Sequence, residues 1–403
     1  MTGTAFDEWV DDARAVSIAV PVERRSVSLK SSGGERVGPC PVCGGKDRFS
    51  INLTKGVFHC RGSGAGGDVI ALTQYLEGCE FRVACEILTG RPPPDRHQGE
   101  TAEAKAAREA AWRARQIERA RAEEAKERTK ARFREQDRKA CWEIWSKGVS
   151  LPGTAAEAYL TKRGLVIPSN GALRALVDHP YFEKLEGQDG PTEIHRGPAL
   201  LGAIIGPNGR FAGVHATWID LGTASGKAEI VHPTTGEVLP AKKVRGLARA
   251  GRIPLVRCEA PTGLVIGEGI ETVLSVWRAL SASAWPHLER TAFWSGYSLG
   301  NIGGKAVGTV NHPTEMLTDT RGRQRRRTVA GPVPDFTHPS IPIPDSVERV
   351  WLLGDGDSDR TLTEMALERG ARRFKQQRPG RQVLVAWAPE GGDFNDVLRR
   401  AAA

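Results

Sequence analysis

Three stretches of the chain share one pattern, an apolar run that stops in glycine and carboxylate. Val350-Trp351-Leu352-Leu353 gives way to Gly354-Asp355-Gly356-Asp357-Ser358-Asp359, and an unbroken apolar run bounded by glycine predicts a strand covered on both faces. Leu264-Val265-Ile266, flanked by Gly263 and Gly267, runs into Glu268-Gly269. Thr272, Val273, Leu274, Val276 and Leu280 then recur at helical spacing, so Glu268 falls at a strand-to-helix turn near the positive end of a helix dipole. The third run, Val383 to Trp387, leads into Pro389-Glu390-Gly391-Gly392-Asp393-Phe394-Asn395-Asp396. In open α/β sheets ligands collect beyond the carboxyl ends of such strands. On extended chain Asp355 and Asp357 point the same way and can share one hard cation, with Gly356 allowing close backbone approach.

Elsewhere the pattern is helical or alternating. From Phe6 to Ala19, the residues Trp9, Val10, Ala13, Val16 and Ile18 predict a short amphipathic helix. A further amphipathic helix carries Leu72, Tyr75, Leu76, Phe81 and Ile87, with Cys79 and Cys85 read as buried thiols. From about Glu100 to Ala140 the chain is mostly Ala, Arg, Glu and Lys. That is too polar for a core, and its mixed charges predict a long exposed helix joining two globular parts. Ala199 to Ile205, a turn at Pro207-Asn208-Gly209 and Phe211 to Ile219 predict a β-hairpin, on which His215 is read as structural. Tyr297 to about Ser346 is rich in Gly, Pro and Thr and packs Arg321, Arg323, Arg325, Arg326 and Arg327 together. It reads as a basic loop beside the strand-end acids or as a disordered surface insertion.

Composition narrows the class. A chain of 403 residues has room for two or three domains. A net charge of +9 favours a polyanionic partner. No apolar run approaches the roughly 18 residues of a membrane span, and the polar, acidic N-terminus lacks a secretory core, so a bacterial cytoplasmic protein without membrane contact is expected. Seven cysteines without an export signal suggest thiols or metal rather than disulfides.

The candidate metal thiols are Cys40-Pro41-Val42-Cys43, half of a zinc ribbon, followed by Phe58-His59-Cys60-Arg61-Gly62-Ser63, with serine where a fourth cysteine belongs. With Gly44-Gly45-Lys46-Asp47-Arg48-Phe49 and Gly64-Ala65-Gly66-Gly67-Asp68-Val69-Ile70, these residues resemble the zinc-binding domain of phage and plasmid primases. That resemblance implies zinc on Cys40, Cys43 and Cys60. The degenerate Ser63 leaves open binding through His59, through a water, or none, and a weakly held zinc with an open or water-filled position is expected. It also implies contact with single-stranded template through Lys46, Arg48, Phe49 and Arg61.

The glutamate-glycine after one strand and the Asp-x-Asp after a later one resemble the Toprim domain, shared by bacterial-type primases, topoisomerases and some nucleases. Tyr159-Leu160 with Arg163-Gly164-Leu165 is similar to the entry of the primase catalytic core. The resemblance implies magnesium or manganese on Glu268, Asp355 and Asp357 as catalytic ligands, with Asp359, Asp393 and Asp396 in second rank and Glu271 in third. It implies nucleotide or template phosphates on Lys227, Lys242, Lys243 and Arg245. The expected fold is multidomain, α+β with α/β. A zinc-ribbon domain covers 1–95, a charged helical linker 96–147, the first part of a catalytic core 148–260, and a Toprim domain of mainly parallel strands 261–403 with a basic insertion at about 297–346. The expected function is a DNA-dependent primase of mobile-element type, a transferase joining ribonucleoside triphosphates on single-stranded DNA beside a separate replicative helicase. Two alternatives stand: a Toprim nuclease or topoisomerase-like enzyme, and a non-catalytic single-stranded DNA-binding accessory protein.

Overall fold

The computed structural model describes residues 5–25, 27–32, 35–94, 102–169, 171–318 and 322–401. The chain divides into two compact units, Met1–Lys126 and Glu127–Ala403.

The first unit contains α1 (Ala5–Ala15), α2 (Ala19–Arg24), β1 (Lys30–Ser32), β2 (Glu35–Cys40), β3 (Gly44–Asn52), β4 (Val57–Cys60), β5 (Gly66–Gly67), α3 (Val69–Glu77) and α4 (Phe81–Thr89). Helix α5 (Ala102–Lys147) then crosses the division. The expected helix from Phe6 to Ala19 is two helices: α1 ends at Ala15, and α2 starts at Ala19 with Ile18 at its N-cap. Trp9, Val10 and Ala13 of α1 pack with Val69, Ile70, Ala84 and Cys85, whereas Ile18 joins the core beneath the strands. The second expected helix is likewise broken, because Gly78 takes a left-handed φ of 63° and caps α3 before α4 begins. Five strands form one antiparallel sheet in order β1-β2-β3-β4-β5.

In the second unit Trp142 and Trp145, near the end of α5, pack against Phe211. There follow α6 (Ala155–Lys162), β6 (Leu173–Lys184), β7 (Pro191–Ile205), β8 (Phe211–Trp218), β9 (Ile230–Val231), β10 (Val238–Leu239), β11 (Lys242–Gly246), β12 (Ile253–Val256), β13 (Gly263–Gly267), α7 (Ile270–Ala282), β14 (Thr291–Ser295), α8 (Leu299–Gly303), β15 (Thr309–Thr318), β16 (Gln324–Ala330), β17 (Arg349–Gly354), α9 (Arg360–Gln377), β18 (Gln382–Trp387) and α10 (Phe394–Ala401). The hairpin of β7 and β8 lies within an antiparallel sheet of order β11-β8-β7-β6.

The sheet that positions the acids has order β12-β14-β13-β17-β18, parallel except for β12. From β13 the chain crosses through α7 to β14 on one side, and from β17 through α9 to β18 on the other. The direction of winding therefore reverses between β13 and β17, which opens a crevice at their carboxyl ends. Strand alternation covers both faces: Val265 and Leu353 pack with Val273 and Leu274 of α7, while Leu264, Ile266, Val350 and Leu352 pack with Leu367 and Phe374 of α9.

The arginine-rich stretch is an ordered hairpin of β15 and β16, with Met316 opposite Arg326 and Leu317 opposite Arg325. Arg321 lies outside the described residues. Two buried arginines of α9 hold the hairpin's base: Arg369 donates to the carbonyls of Ala330 and Gly331, and Arg373 to those of Gly303, Lys305, Asp335 and His338. No helix among the described residues is long and apolar enough to cross a membrane.

Candidate functional site

At the carboxyl ends of β13, β17 and β18 a cleft of about 250 Å³ is lined by Glu268, Glu271, Asp355, Asp357 and Asp393 together with Arg163, Lys227 and Lys242. The acid loop after β17 is tied to the loop after β18, where Gly356 N–H donates to the Gly392 carbonyl at 3.0 Å and Gly391 N–H to that of Gly356 at 3.0 Å. A Cβ on Gly356 would lie 2.1 Å from the Pro389 oxygen. The close approach that demands glycine is therefore loop against loop, which sets Asp355 and Asp357 beside Asp393. Ser295 Oγ donates to the Glu268 carbonyl at 2.7 Å, and Thr272 Oγ1 to Asp355 at 3.0 Å.

These acids act on one another electrostatically. Burial, and then the charges of Asp393, Asp357 and Glu268, push Asp355 up to about 6 against the Thr272 hydrogen bond. Burial and Asp357 likewise raise Glu268, opposed by a backbone N–H at Leu299 and by Lys242. An oxygen-only set short of positive charge fits a hard divalent cation.

Glu271 behaves differently. It is fully buried, yet Lys242 at 3.0 Å, Lys227 at 3.3 Å and the Tyr159 hydroxyl hold it well below the usual carboxylate range. Burial pulls Lys227 down, and Glu271 holds Lys242 up against burial. His215 lines the same cleft with its Nδ1 unpartnered, and burial with nearby Lys242 lowers it to about 4, so it is neutral at pH 7. Arg163 lies 3.6 Å from Asp393, and its carbonyl accepts from Asn395, whose amide also donates to Ser275.

Several expected residues lie elsewhere. Asp359 caps α9, accepting from Leu362 N–H at 2.9 Å, and meets His312 Nε2 at 3.1 Å, so it does not line the cleft. Asp396 and Asp393 accept each other's backbone N–H at the start of α10, which directs the Asp396 carboxylate to the helix end. Lys243 is on the opposite face of β11 from Lys242, paired with Glu183 at 2.7 Å, and Arg245 lies 3.4 Å from Asp137. Neither lines the cleft. Glu271, placed in third rank by its helix position, turns inward, and Tyr159, Arg163 and Thr272 join it.

In the first unit, the sulfurs of Cys40, Cys43 and Cys60 lie within 4.8 Å of one another. Three soft donors suit zinc. Burial opposes ionisation of Cys60, but hydrogen bonds from Ser63, Tyr75 and Cys43 bring it down to about 5, while the bond with Cys60 pushes Cys43 up. His59 is exposed on β4, where burial alternates residue by residue, so it faces away from buried Cys60. Ser63 bonds the Tyr75 hydroxyl at 2.9 Å. Phe49 is fully buried beneath the strands and is not available to stack on a base, whereas Lys46, Arg48 and Arg61 are exposed.

Residues 6–99 match the family described as CHC2 zinc finger, and residues 135–254 match a domain of unknown function (DUF7146). The chain is similar to the DNA primase of Geobacillus stearothermophilus, 34% identical over 115 residues covering 26% of this chain and 19% of that protein. It is also similar to the DNA primase of Streptomyces coelicolor, 34% identical over 96 residues covering 23% and 14%. It thus spans less than a fifth of the length of these curated relatives. Among solved structures, the Aquifex aeolicus primase (zinc binding and RNA polymerase domains) aligns at a TM-score of 0.36 and 14% identity, covering 99% of this chain and 82% of that one.

Proposed function

We propose that the chain is a DNA-dependent primase of mobile-element type, making short RNA primers on single-stranded DNA, with a Toprim-type centre in the cleft and a zinc ribbon that meets the template. The observation that carries this reading is the convergence of acids from three strand ends opposite Arg163, Lys227 and Lys242. The zinc finger match and the partial likeness to curated DNA primases support it.

In this reading Glu268, Asp355 and Asp357, with Asp393 beside them, hold magnesium or manganese, which supplies activation of a 3′ hydroxyl and stabilisation of leaving pyrophosphate. The chain's own groups do the positioning. Glu271, anchored by Tyr159, holds Lys227 and Lys242 in place at the cleft wall, where the negative charge of a ribonucleoside triphosphate collects. Arg163 offers a planar fork to a phosphate. The Thr272 hydroxyl fixes the orientation of Asp355. Exposed Lys46, Arg48 and Arg61 contact template phosphates, and strand separation falls to a separate helicase.

The test is ribonucleotide incorporation on single-stranded DNA with magnesium. Asp357→Asn should lower primer synthesis by at least about 100-fold while DNA affinity changes less than about threefold, because the carboxylate holds metal rather than template. Glu268→Gln should match it. Synthesis near the wild-type rate in either variant removes the assignment.

A further inference from the structure

Zinc in a structural site takes four donors in a tetrahedron. Three come from Cys40, Cys43 and Cys60. The sequence offers Ser63 and His59 for the fourth; the structure turns His59 away and sets Ser63 beside a further oxygen, the Tyr75 hydroxyl. His59 points to the other face of β4. Ser63 Oγ lies 2.9 Å from the Tyr75 hydroxyl, which is itself 3.2 Å from Cys40 Sγ.

We propose that Tyr75 supplies the fourth ligand, its phenol oxygen completing a three-sulfur, one-oxygen zinc site. With Zn–S near 2.3 Å and Zn–O near 2.0 Å, a tetrahedron has S···S edges of about 3.8 Å and S···O edges of about 3.5 Å. The observed Cys43–Cys60 sulfur separation of 3.4 Å and the Tyr75–Cys40 distance of 3.2 Å lie within a few tenths of an ångström of those edges. The phenol oxygen is thus in contact with Cys40 at the edge of the group of three sulfurs.

The fold delivers Tyr75 there by construction. Asp68 caps α3 by accepting from Ile70 and Ala71 N–H, and Tyr75 follows seven residues later, two helical turns on and on the same face. Its ring stacks on Phe58 at 5.6 Å, which fixes the height of the hydroxyl. Ser63 then serves the phenolate as a hydrogen-bond donor. On binding, the phenol proton leaves to solvent as the thiol protons do, and the oxygen lone pair goes to the metal.

The inference rests on the zinc reading and is independent of primer synthesis. Zinc is spectroscopically silent, so titrating metal-free full-length protein with Zn²⁺ reports any phenol that loses its proton as a tyrosinate difference band. One tyrosinate per zinc is expected in the wild type and none in Tyr75→Phe. Tyr75→Phe should bind zinc at least about tenfold more weakly, and Tyr75→Phe/Ser63→Cys should restore tight binding, which also shows that loss in the single variant is not misfolding. Ser63→Ala should cost only a few-fold. A wild type that binds one zinc without a tyrosinate band, or Tyr75→Phe with unchanged affinity, overturns the Tyr75 assignment alone. Absence of zinc binding in the wild type overturns the metal reading with it.

Discussion

Asp355 is held in a place that suits metal and disfavours its own charge, and Asp355→Asn separates the two effects. Asparagine keeps the shape and can still accept the Thr272 hydrogen bond. It removes a carboxylate whose folded-state value is pushed up to about 6 from 3.8, chiefly by burial and then by Asp393, Asp357 and Glu268. For a carboxyl group raised in the folded state, the proton is bound more tightly folded than unfolded, so stability falls as pH rises from about 4 to 6 and levels off above. The full cost at pH 7 is about 3 kcal/mol, and roughly half of it has developed by pH 5. In magnesium-free buffer at pH 7 the variant should therefore melt higher than wild type. At about 2–4 °C per kcal/mol for a unit of this size, the rise is on the order of 6–12 °C. The difference should shrink by half at pH 5. Magnesium works against this difference and nearly closes it: at about 100 times its dissociation constant it stabilises wild type by about 2.7 kcal/mol, and the asparagine variant by much less. Scanning calorimetry across pH 4–8, with and without magnesium, reads all of this. A variant that melts at or below wild type in metal-free buffer at pH 7, or that gains as much from magnesium, refutes the reasoning.

Two further outcomes follow from the same cleft. Lys242→Met should destabilise the second unit by about 3 kcal/mol in thermal or denaturant melts, because it strips a partner from the fully buried Glu271. Lys242→Met/Glu271→Leu should recover most of that loss, and a double variant as unstable as the single one would mean the cost is packing rather than charge. Gly356→Ala should cost about 1–3 kcal/mol, since its Cβ would fall 2.1 Å from the Pro389 oxygen. It should also weaken magnesium binding measured by calorimetry, and unchanged stability would show that the two loops are not held together there.

What was legible in the sequence is what short-range pattern carries. The apolar runs before Glu268 and Asp355 form adjacent parallel strands, because an uninterrupted apolar run has no exposed face and must lie inside a covered sheet. That Glu268, Asp355, Asp357 and Asp393 share one cleft follows from the order of those strands and from the glycine contact between two loops. The residues that left the set have local reasons as well. Asp359 and Asp396 sit where a helix begins, and a carboxylate at that position accepts backbone N–H groups that have no other partner. The sequence carried that signal: Asp393 and Asp396 stand three apart at the start of a helix, a capping pattern. Lys243 was separated from Lys242 by nothing subtler than strand alternation.

The residues that sequence reading could not place are those whose partners lie far along the chain. Tyr159 meets Glu271 across 112 positions, and nothing near either residue marks the pair. A glutamate in the first turn of a helix reads as an exposed dipole partner, whereas this one is buried because two lysines from other elements arrive to neutralise it. Burying a carboxylate without such partners would be prohibitive, so Lys227 and Lys242 are conditions of the fold as well as groups aimed at the cleft. The electrostatics of the site therefore separate its acids into two kinds. Glu271 is already neutralised and orients cations. Glu268 and Asp355 are left short of positive charge, with values raised by burial and by one another. Only the second kind gains from a divalent cation, which is why metal dependence should appear at Asp355 and not at Glu271.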